Sequence, residues 1–282
     1  MSLAYSPKTL AEAREALARG AMKVAGATDL LVIDHATGRE HTAVLDVLGI
    51  RELQGIRVDN DGLNIGASST FTQIRRSAEV ARHAPLLSAA AATIGAAQIQ
   101  NRATIGGNMA NASPAGDSLP ALLALGALIV IANPHVRRTV PYNAFHPAYR
   151  QTVLGPDELI ERVIVPLPSP SVQVFRKVGT REAQAISKVV VAFASDPPGR
   201  DGLENVRLAM GSIAAVPLRL HEAEALIESE PLSPALADRV ADFIERTISP
   251  LDDIRSTADY RRYVAGQIVR RLLLNLLEGP RT

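Results

Sequence analysis

The 282-residue chain contains no cysteine. It can therefore form no disulfide, offer no thiolate nucleophile and supply no cysteine ligand to zinc or to an iron–sulfur cluster. Histidines are few, and no two of them have the i, i+4 spacing or the H-E-x-x-H pattern of a helical metal site. The six histidines are His35, His41, His83, His135, His146 and His221. The sequence thus predicts no metal site on this chain.

The chain also lacks a strong charge of either sign, because 30 basic residues balance 29 acidic ones to a net charge of +1. This balance argues against binding to nucleic acid or to an anionic membrane. The longest apolar stretch runs from Leu119 to Ala132, which is too short to span a bilayer and favours a helix, a glycine break and a strand. The N-terminus has no basic region followed by an apolar run, so we expect no signal peptide and a cytoplasmic protein.

Hydrophobic residues make up 47% of the chain, enough for sizeable cores, and their pattern predicts an α+β protein in two parts. In the first part a hairpin is expected around Asn60-Asp61-Gly62, followed by two helices over residues 70–84 and 85–100. A Pro/Ser-rich break at residues 166–171 predicts a boundary, giving domains 1–170 and 171–282. Three strands and then helices are expected beyond it. Four glutamates on one of those helices and its exit are expected to form a solvated face: Glu222, Glu224, Glu228 and Glu230.

Residues 103–117, ATIGGNMANASPAGD, separate two Ala/Leu/Ile-rich helices and show neither a helix period nor a strand period. Adjacent Gly106 and Gly107 would let the backbone adopt positive φ and let another molecule approach the N–H groups closely. Such N–H groups form a nest that suits phosphate oxygens, and each hydrogen bond to a charged oxygen contributes roughly 1.5–3 kcal/mol. The alternative is a tight turn between helices.

A second glycine-bearing turn, VAGATDL at residues 24–30, follows a predicted strand and precedes a helix. Together the two turns suggest two edges of one dinucleotide cradle. An ordinary helix cap would also explain the turn at residues 24–30. Asp117 could accept hydrogen bonds from ribose hydroxyls or an adenine amino group, or it could cap the helix that begins at Ser118. Neither G-x-G-x-x-G nor G-x-x-x-x-G-K-[ST] occurs, so the cradle belongs to another architecture.

Four stretches carry a family resemblance: VAGATDLLV, QIQNRATIGGNMANASPAGD, GPDELIERVIVP and FRKVGTREAQAISKV. In this order they resemble the FAD-binding medium subunit of molybdenum hydroxylases, the xanthine dehydrogenase and carbon monoxide dehydrogenase family. The match covers nearly the whole chain, and TIGGN followed by SP..D is its most specific part. The resemblance implies a two-part FAD-binding domain of the vanillyl-alcohol oxidase-like (PCMH) type. A C-terminal domain with a three-stranded antiparallel sheet and a helix bundle would follow it.

The resemblance also implies which residues hold FAD. The first loop would be formed by Lys23, Val24, Ala25, Gly26, Ala27, Thr28, Asp29 and Leu30, and the second by Thr104, Ile105, Gly106, Gly107 and Asn108. Asp117 would lie by the ribose or adenine, Ile160 with its neighbour Leu159 would pack on the cofactor, and Lys177 would reach toward the flavin. Two positions depart from the family. Ala27 replaces a common second glycine, and Ile94 stands where some relatives have an aromatic residue beside the flavin.

As an FAD-binding oxidoreductase subunit of this family, the chain would bind one FAD. None of its residues is assigned as a catalytic acid or base. Its partners would be a large molybdopterin-binding subunit and a small subunit with [2Fe–2S] clusters, in a dimer of heterotrimers. Electrons would leave FAD to NAD⁺ or another acceptor. Two alternatives remain open: a stand-alone FAD-dependent oxidoreductase of the same fold, and a nucleotide-binding scaffold without a redox role.

Overall fold

A computed structural model describes residues 3–279 as two lobes followed by a C-terminal domain. The first lobe comprises residues 3–53 and holds a three-stranded parallel sheet in the order β1-β3-β2. Its elements are β1 (Leu3–Tyr5), α1 (Arg14–Ala18), β2 (Met22–Val24), α2 (Leu30–Thr37), β3 (Ala43–Asp46) and a 3₁₀ turn at Arg51–Leu53. Because the three strands run parallel, the chain must cross back after β1 and again after β2, and α1 and α2 lie in these two connections. Leu17, Leu45 and Ile50 form the centre of this small core.

The second lobe, residues 56–165, contains an antiparallel sheet of five strands in the order β4-β5-β8-β6-β7. The strands are β4 (Ile56–Asp59), β5 (Gly62–Gly66), β6 (Leu128–Ala132), β7 (Arg137–Pro141) and β8 (Leu159–Val165). Its helices are α3 (Phe71–Arg76), α4 (Ala78–His83), α5 (Pro85–Ala92), α6 (Ala97–Gln100), α7 (Ile105–Asn111) and α8 (Ser118–Ala124), with a 3₁₀ turn at Tyr142–Ala144. The predicted hairpin is present, because Asp59 pairs with Gly62 across a two-residue turn.

The helices around the second sheet are more broken than the sequence pattern predicted. The helix expected over residues 70–84 is interrupted at Ser77, whose extended backbone (φ −74°, ψ 122°) starts a new helix and whose Oγ accepts from the N–H of Val80. The helix expected over residues 85–100 is divided at Gly95, which lies in the left-handed region with φ +52°. Residues 103–117, predicted to be irregular, contain the seven-residue helix α7.

The C-terminal domain, residues 172–279, contains an antiparallel sheet in the order β12-β11-β10-β9. Its strands are β9 (Val172–Val178), β10 (Val189–Ser195), β11 (Arg207–Gly211) and β12 (Leu218–Arg219), and its helices are α9 (His221–Glu228), α10 (Pro234–Thr247) and α11 (Ala258–Glu278). The three predicted strands are thus confirmed, and the two-residue β12 adds a short fourth. Among residues 3–279 no helix is long and apolar enough to cross a membrane.

The C-terminal sheet is buried on both faces, which fixes its place against the second lobe. Along β10, Val190 and Ala192 belong to the core of the second lobe, whereas Val191 and Phe193 belong to the core formed with α9–α11. Successive strand residues point to opposite faces, so one strand joins the two cores. The second lobe and the C-terminal domain therefore pack as one body through this sheet.

One glutamate of the expected solvated face is buried. Glu224 is 5% exposed, and its carboxylate accepts hydrogen bonds from the Arg219 guanidinium at 2.7 and 2.8 Å and from the N–H of Leu208 at 2.7 Å. A charged carboxylate can be buried when it is paired and hydrogen-bonded in this way. The prediction of a solvated face is wrong for Glu224, which ties α9 to β11 and β12.

Candidate functional site

A deep cleft of about 1470 Å³ opens where the two lobes and the C-terminal domain meet. It exceeds the roughly 300–1,000 Å³ of pockets that hold drug-sized ligands, so a dinucleotide-sized molecule is a reasonable occupant. The first lobe contributes residues 24–30, here called the first loop. The second lobe contributes part of residues 103–117, here called the second segment, and the C-terminal domain contributes residues from 181 to 187 and from 251 to 255.

The first loop and the second segment meet in space through Gly26. A Cβ built on Gly26 would lie 2.0 Å from the carbonyl oxygen of Arg102 and 3.0 Å from the Cα of Ala103. No side chain fits in that gap, so glycine is required for the close approach of the two backbones rather than for its dihedral freedom. The two turns, more than seventy residues apart in sequence, therefore line one cleft.

The first loop presents unpaired backbone donors. Within residues 3–279, no acceptor meets the N–H groups of Gly26, Ala27, Thr28 and Asp29. These groups lead directly into α2, and Asp29 at its N-terminus makes no side-chain capping bond. The partial positive charge of a helix N-terminus and free N–H groups together favour an anion, most commonly a phosphate.

Ala27 takes the left-handed conformation at φ +60°, although glycine is the residue that adopts it without strain. An L-residue in this region costs roughly 1–2 kcal/mol, because its Cβ crowds the following carbonyl oxygen. Gly26, Gly106 and Gly107 all have ordinary φ values. The expectation that the glycines supply the positive φ is wrong, and an alanine carries it instead.

The second segment uses most of its amides within the chain. Thr104 caps α7, with its Oγ1 accepting from the N–H of Gly107 at 3.1 Å. The N–H of Ile105 donates to Ser69 O at 3.0 Å, and the N–H of Gly106 donates to Ala67 O at 2.9 Å. The amides of residues 105–107 are therefore not available as a phosphate nest, contrary to the interpretation from sequence.

The two adjacent glycines of α7 have different roles. A Cβ on Gly106 would lie 2.7 Å from Ala67 Cβ and 2.8 Å from Ala67 O, so this glycine permits α7 to pack against the residues that follow β5. A Cβ on Gly107 would meet only the Thr104 Oγ1, at 2.9 Å, and Gly107 is exposed on the cleft wall. Gly107 thus keeps cleft volume open that a side chain would fill.

Asp117 and Lys177 lie close to the cleft but face each other. The Lys177 Nζ is 2.6 Å from Asp117 Oδ2, and the two side chains are 10% and 7% exposed. The Oγ of Ser187 donates to Asp117 Oδ1, and Thr93 supplies its carbonyl oxygen to Lys177 at 2.9 Å. Asp117 occupies the position before α8 but makes no side-chain capping bond, so the helix-cap alternative is wrong. Burial raises the pKa of Asp117, and the neighbouring Lys177 ammonium opposes that rise.

Two charged residues of the cleft wall, Glu158 and Lys23, bind partners within the chain. The Arg138 guanidinium binds Glu158 at 2.8 and 2.7 Å and holds the pKa of that carboxyl below its usual value. Lys23 donates to the carbonyl oxygen of Pro156, which links the first lobe to the second, and burial lowers the pKa of Lys23. An anionic ligand would therefore meet no uncompensated carboxylate at Glu158.

Most residues predicted to contact the cofactor line this cleft: Lys23, Val24, Ala25, Gly26, Ala27, Thr28, Asp29, Leu30, Thr104, Gly106, Gly107, Asn108 and Ile160. Leu159 and Ile94 line it too. Ile105, Asp117 and Lys177 are not among the lining residues. Ile105 is fully buried in the core of the second lobe.

Several lining residues were not predicted. Ser212, Leu251, Asp253 and Arg261 come from the C-terminal domain, far along the chain from either glycine turn. The Arg261 guanidinium donates to Ser212 O at 3.0 Å and to Asp253 Oδ1 at 2.7 Å, which fixes this part of the wall. No local pattern in the sequence marks these positions. They reach the cleft because the end of β11, the loop before α11 and the first turn of α11 lie together there.

The fold and cleft define a class of protein: an α+β protein of two lobes and a C-terminal domain, which meet at a cleft of dinucleotide size. Residues 1–168 match the model of the FAD binding domain in molybdopterin dehydrogenase, and residues 174–276 match that of the CO dehydrogenase flavoprotein C-terminal domain. The chain belongs to the family of FAD-binding subunits of molybdopterin dehydrogenases and is an oxidoreductase subunit.

Named relatives extend along nearly the whole chain. The xanthine dehydrogenase FAD-binding subunit of Escherichia coli O157:H7 is 31% identical over 94% of this chain and 92% of its own length. The nicotinate dehydrogenase FAD-subunit of Eubacterium barkeri is 28% identical over 97% of this chain and 95% of its own length. A solved structure of carbon monoxide dehydrogenase from Hydrogenophaga pseudoflava has a chain that superposes with a TM-score of 0.89 at 27% identity, covering 96% of this chain and 95% of that one.

The residues present fit FAD. Four free amides at the start of α2 suit its diphosphate, the exposed Gly107 leaves room beside them, and Ile94, Leu159 and Ile160 offer apolar surface. The cleft also has the size for a dinucleotide.

Proposed function

We propose that FAD binds in this cleft with its diphosphate against the amides of Gly26 to Asp29. The observation that carries this proposal is the set of unpaired N–H groups at the contact between the first loop and the second segment. Thr104, Gly107 and Asn108 would border the same stretch of the cofactor, and Ile160 would pack on it. The proposed FAD-binding domain is residues 1–170 and the C-terminal flavoprotein domain residues 171–282, a division supported by the family matches on either side.

When bound, FAD supplies the redox chemistry of the family through its isoalloxazine ring. The chain supplies position and electrostatics. The free amides and the α2 N-terminus favour the diphosphate charge, while Arg138 neutralises Glu158 in the wall. The two lobes and the C-terminal domain each contribute residues to the wall of the cleft.

We further propose that the chain is the flavin-holding electron relay of a multi-subunit enzyme. Its lack of cysteine means that any [2Fe–2S] cluster must be held by a partner. The named relatives are subunits or medium chains of larger dehydrogenases, which supports partners of two kinds: a large molybdopterin-binding subunit and a small [2Fe–2S] subunit. The proposed assembly is a cytoplasmic dimer of heterotrimers, with NAD⁺ or another acceptor taking the electrons.

Two measurements test this function. The chain purified alone should bind FAD, with quenching or spectral change of the flavin and an approximately 1:1 stoichiometry. Affinity purification of the tagged chain from its native host, followed by mass spectrometry, should recover one cysteine-rich small chain and one large chain. Reduction of the flavin by substrate should then require all three chains. Substrate turnover by the lone chain would indicate a stand-alone oxidoreductase instead, and failure to bind FAD would contradict the cofactor assignment.

A further inference from the structure

A buried cluster of charged and polar side chains joins the second lobe to the C-terminal domain beside the cleft. Thr93 and Asp117 belong to the second lobe, Lys177 lies on β9, and Ser187 lies two residues before β10. Asp117 is the centre, because one carboxylate oxygen receives the Lys177 ammonium at 2.6 Å and the other receives the Ser187 hydroxyl. We call these four residues the latch.

The latch brackets a stretch that lines the cleft. Residues 179–187, here called the wall segment, connect β9 to β10, and Arg181, Gln184 and Ser187 are on the cleft surface. The base of the segment is held by strand pairing, with the N–H of Lys188 donating to Val178 O at 2.8 Å. Toward the second lobe, a single backbone bond from the N–H of Gln184 to Gly95 O, at 3.2 Å, accompanies the Ser187–Asp117 hydrogen bond.

The rest of the wall segment is bonded mainly to itself. The Arg181 guanidinium donates to the carbonyl oxygens of Ala183 and Gln184. Gln184 has φ +53°, a conformation that a non-glycine residue holds only when its surroundings enforce it. Because Arg181 and Gln184 are exposed, little apolar burial keeps the segment against the second lobe. Its position therefore depends on the latch.

The latch is better suited to fixing geometry than to adding stability. Desolvation of two charges commonly cancels the attraction between them, whereas removal of one partner leaves a buried charge uncompensated. Burial raises the pKa of Asp117, and its interactions with Lys177, Ser187 and Thr93 oppose that rise. Movement of either side chain away from the other would leave a buried charge without its partner.

We propose that Asp117 and Lys177 are positioning residues that hold residues 179–187 as the third wall of the cofactor cleft. They act on the wall segment through Ser187, and neither side chain is among the residues that line the cleft. The inference rests on the proposal that FAD occupies the cleft. It differs from the sequence expectation for the same two residues, which placed Asp117 at the ribose or adenine and Lys177 at the flavin.

Hydrogen exchange of the full chain, without FAD, tests the latch directly. In Asp117→Asn and Lys177→Met, the amide of Gln184 should exchange roughly tenfold to a hundredfold faster, because loss of a partner raises the open population of the segment. The amide of Gly106, bonded to Ala67 in the second lobe, should exchange at the wild-type rate. Asp238→Asn breaks an exposed pair with Arg270 on α10 and α11, and this control should change neither amide.

The FAD dissociation constant separates the possible outcomes. Asp117→Asn, Lys177→Met and the milder Ser187→Ala should weaken FAD binding in proportion to their acceleration of Gln184 exchange. If Lys177→Met shifts the flavin absorption or reduction potential while Gln184 exchange stays at the wild-type rate, the residue contacts the cofactor and the latch is refuted. If the wild-type chain binds no FAD, the proposed function fails, but the exchange comparison still decides whether the latch holds the segment. Should the two charge variants fail to fold, Ser187→Ala with unchanged Gln184 exchange would also refute it.

Discussion

Replacing Gly26 by alanine perturbs the contact on which the cleft depends. The added Cβ would lie 2.0 Å from the Arg102 carbonyl oxygen and has to reach at least 3.0 Å, so the first loop and the second segment must separate by about 1 Å or more. Overpacking of this kind costs roughly 1–3 kcal/mol. For a chain of this size the melting temperature of the apoprotein should fall by roughly 2–10 °C.

The same displacement should weaken FAD binding. A shift of about 1 Å would remove at least one of the hydrogen bonds that we propose between the first loop and the diphosphate, each of which would contribute roughly 1.5–3 kcal/mol. The dissociation constant should rise about tenfold to a hundredfold. Flavin fluorescence titration of the apoprotein measures this constant, and Gly199→Ala is the matched control, because a Cβ there meets nothing closer than 3.7 Å. A Gly26→Ala variant with wild-type affinity for FAD would show that the two segments do not jointly form the binding site.

Three further outcomes are expected. Ala27→Gly should leave the melting temperature unchanged or raise it by up to roughly 4 °C, because relief of the strained φ offsets the added freedom of the unfolded chain, whereas Ala25→Gly in ordinary backbone should lower it. Gly107→Val should weaken FAD binding at least about tenfold and, because its Cβ would crowd the Thr104 Oγ1 that caps α7, should lower apoprotein stability by up to roughly 2 kcal/mol. Gly106→Ala should lower apoprotein stability by roughly 1–3 kcal/mol in urea titration. Burial lowers the pKa of His146, so the unfolded chain takes up a proton that the folded chain does not, and stability should fall as the pH drops below about 6.5. His146→Gln should remove that part of the slope in urea titrations at pH 5 to 7, and an unchanged slope would contradict the assignment.

The sequence was most informative where a backbone requirement is local. The hairpin at residues 60–62 was recognisable because its pattern is short, whereas the reason for glycine at residue 26 lies at Arg102, 76 residues away in sequence. The break before β9 was also recognisable from a short pattern. The family resemblance then placed both turns at one cofactor, and the structure brings them into contact at Gly26 and Arg102.

The helix α7 and the C-terminal part of the cleft wall depend on contacts between distant parts of the chain, which no local sequence pattern predicts. The helical start of the second segment follows from the Thr104 cap and from bonds to Ala67 and Ser69, which lie more than thirty residues earlier. Helix propensity gave no hint of it, because two glycines in the first turn are unfavourable for a helix. The C-terminal wall at Ser212 and Arg261 is likewise a consequence of sheet pairing rather than of composition.

Asp117 shows how a motif residue can be recognised while its contacts are not. Its position before α8 suggested a cap or a cofactor ligand, but its carboxylate is turned toward Lys177 and Ser187 in the C-terminal domain. Those partners are 60 and 70 residues away in sequence. Only the packing of β9 and β10 against the second lobe brings them to it.

Hydrogen exchange of the chain with and without saturating FAD tests the central claim most directly. The amides of residues 26–29 are unpaired in the chain, so they should exchange rapidly in the apoprotein and become protected when FAD is added. The amides of residues 105–107 already have acceptors, so their exchange should change little. Rapid exchange of residues 26–29 at saturating FAD, with new protection at 105–107 instead, would contradict the claim that the first loop binds the diphosphate.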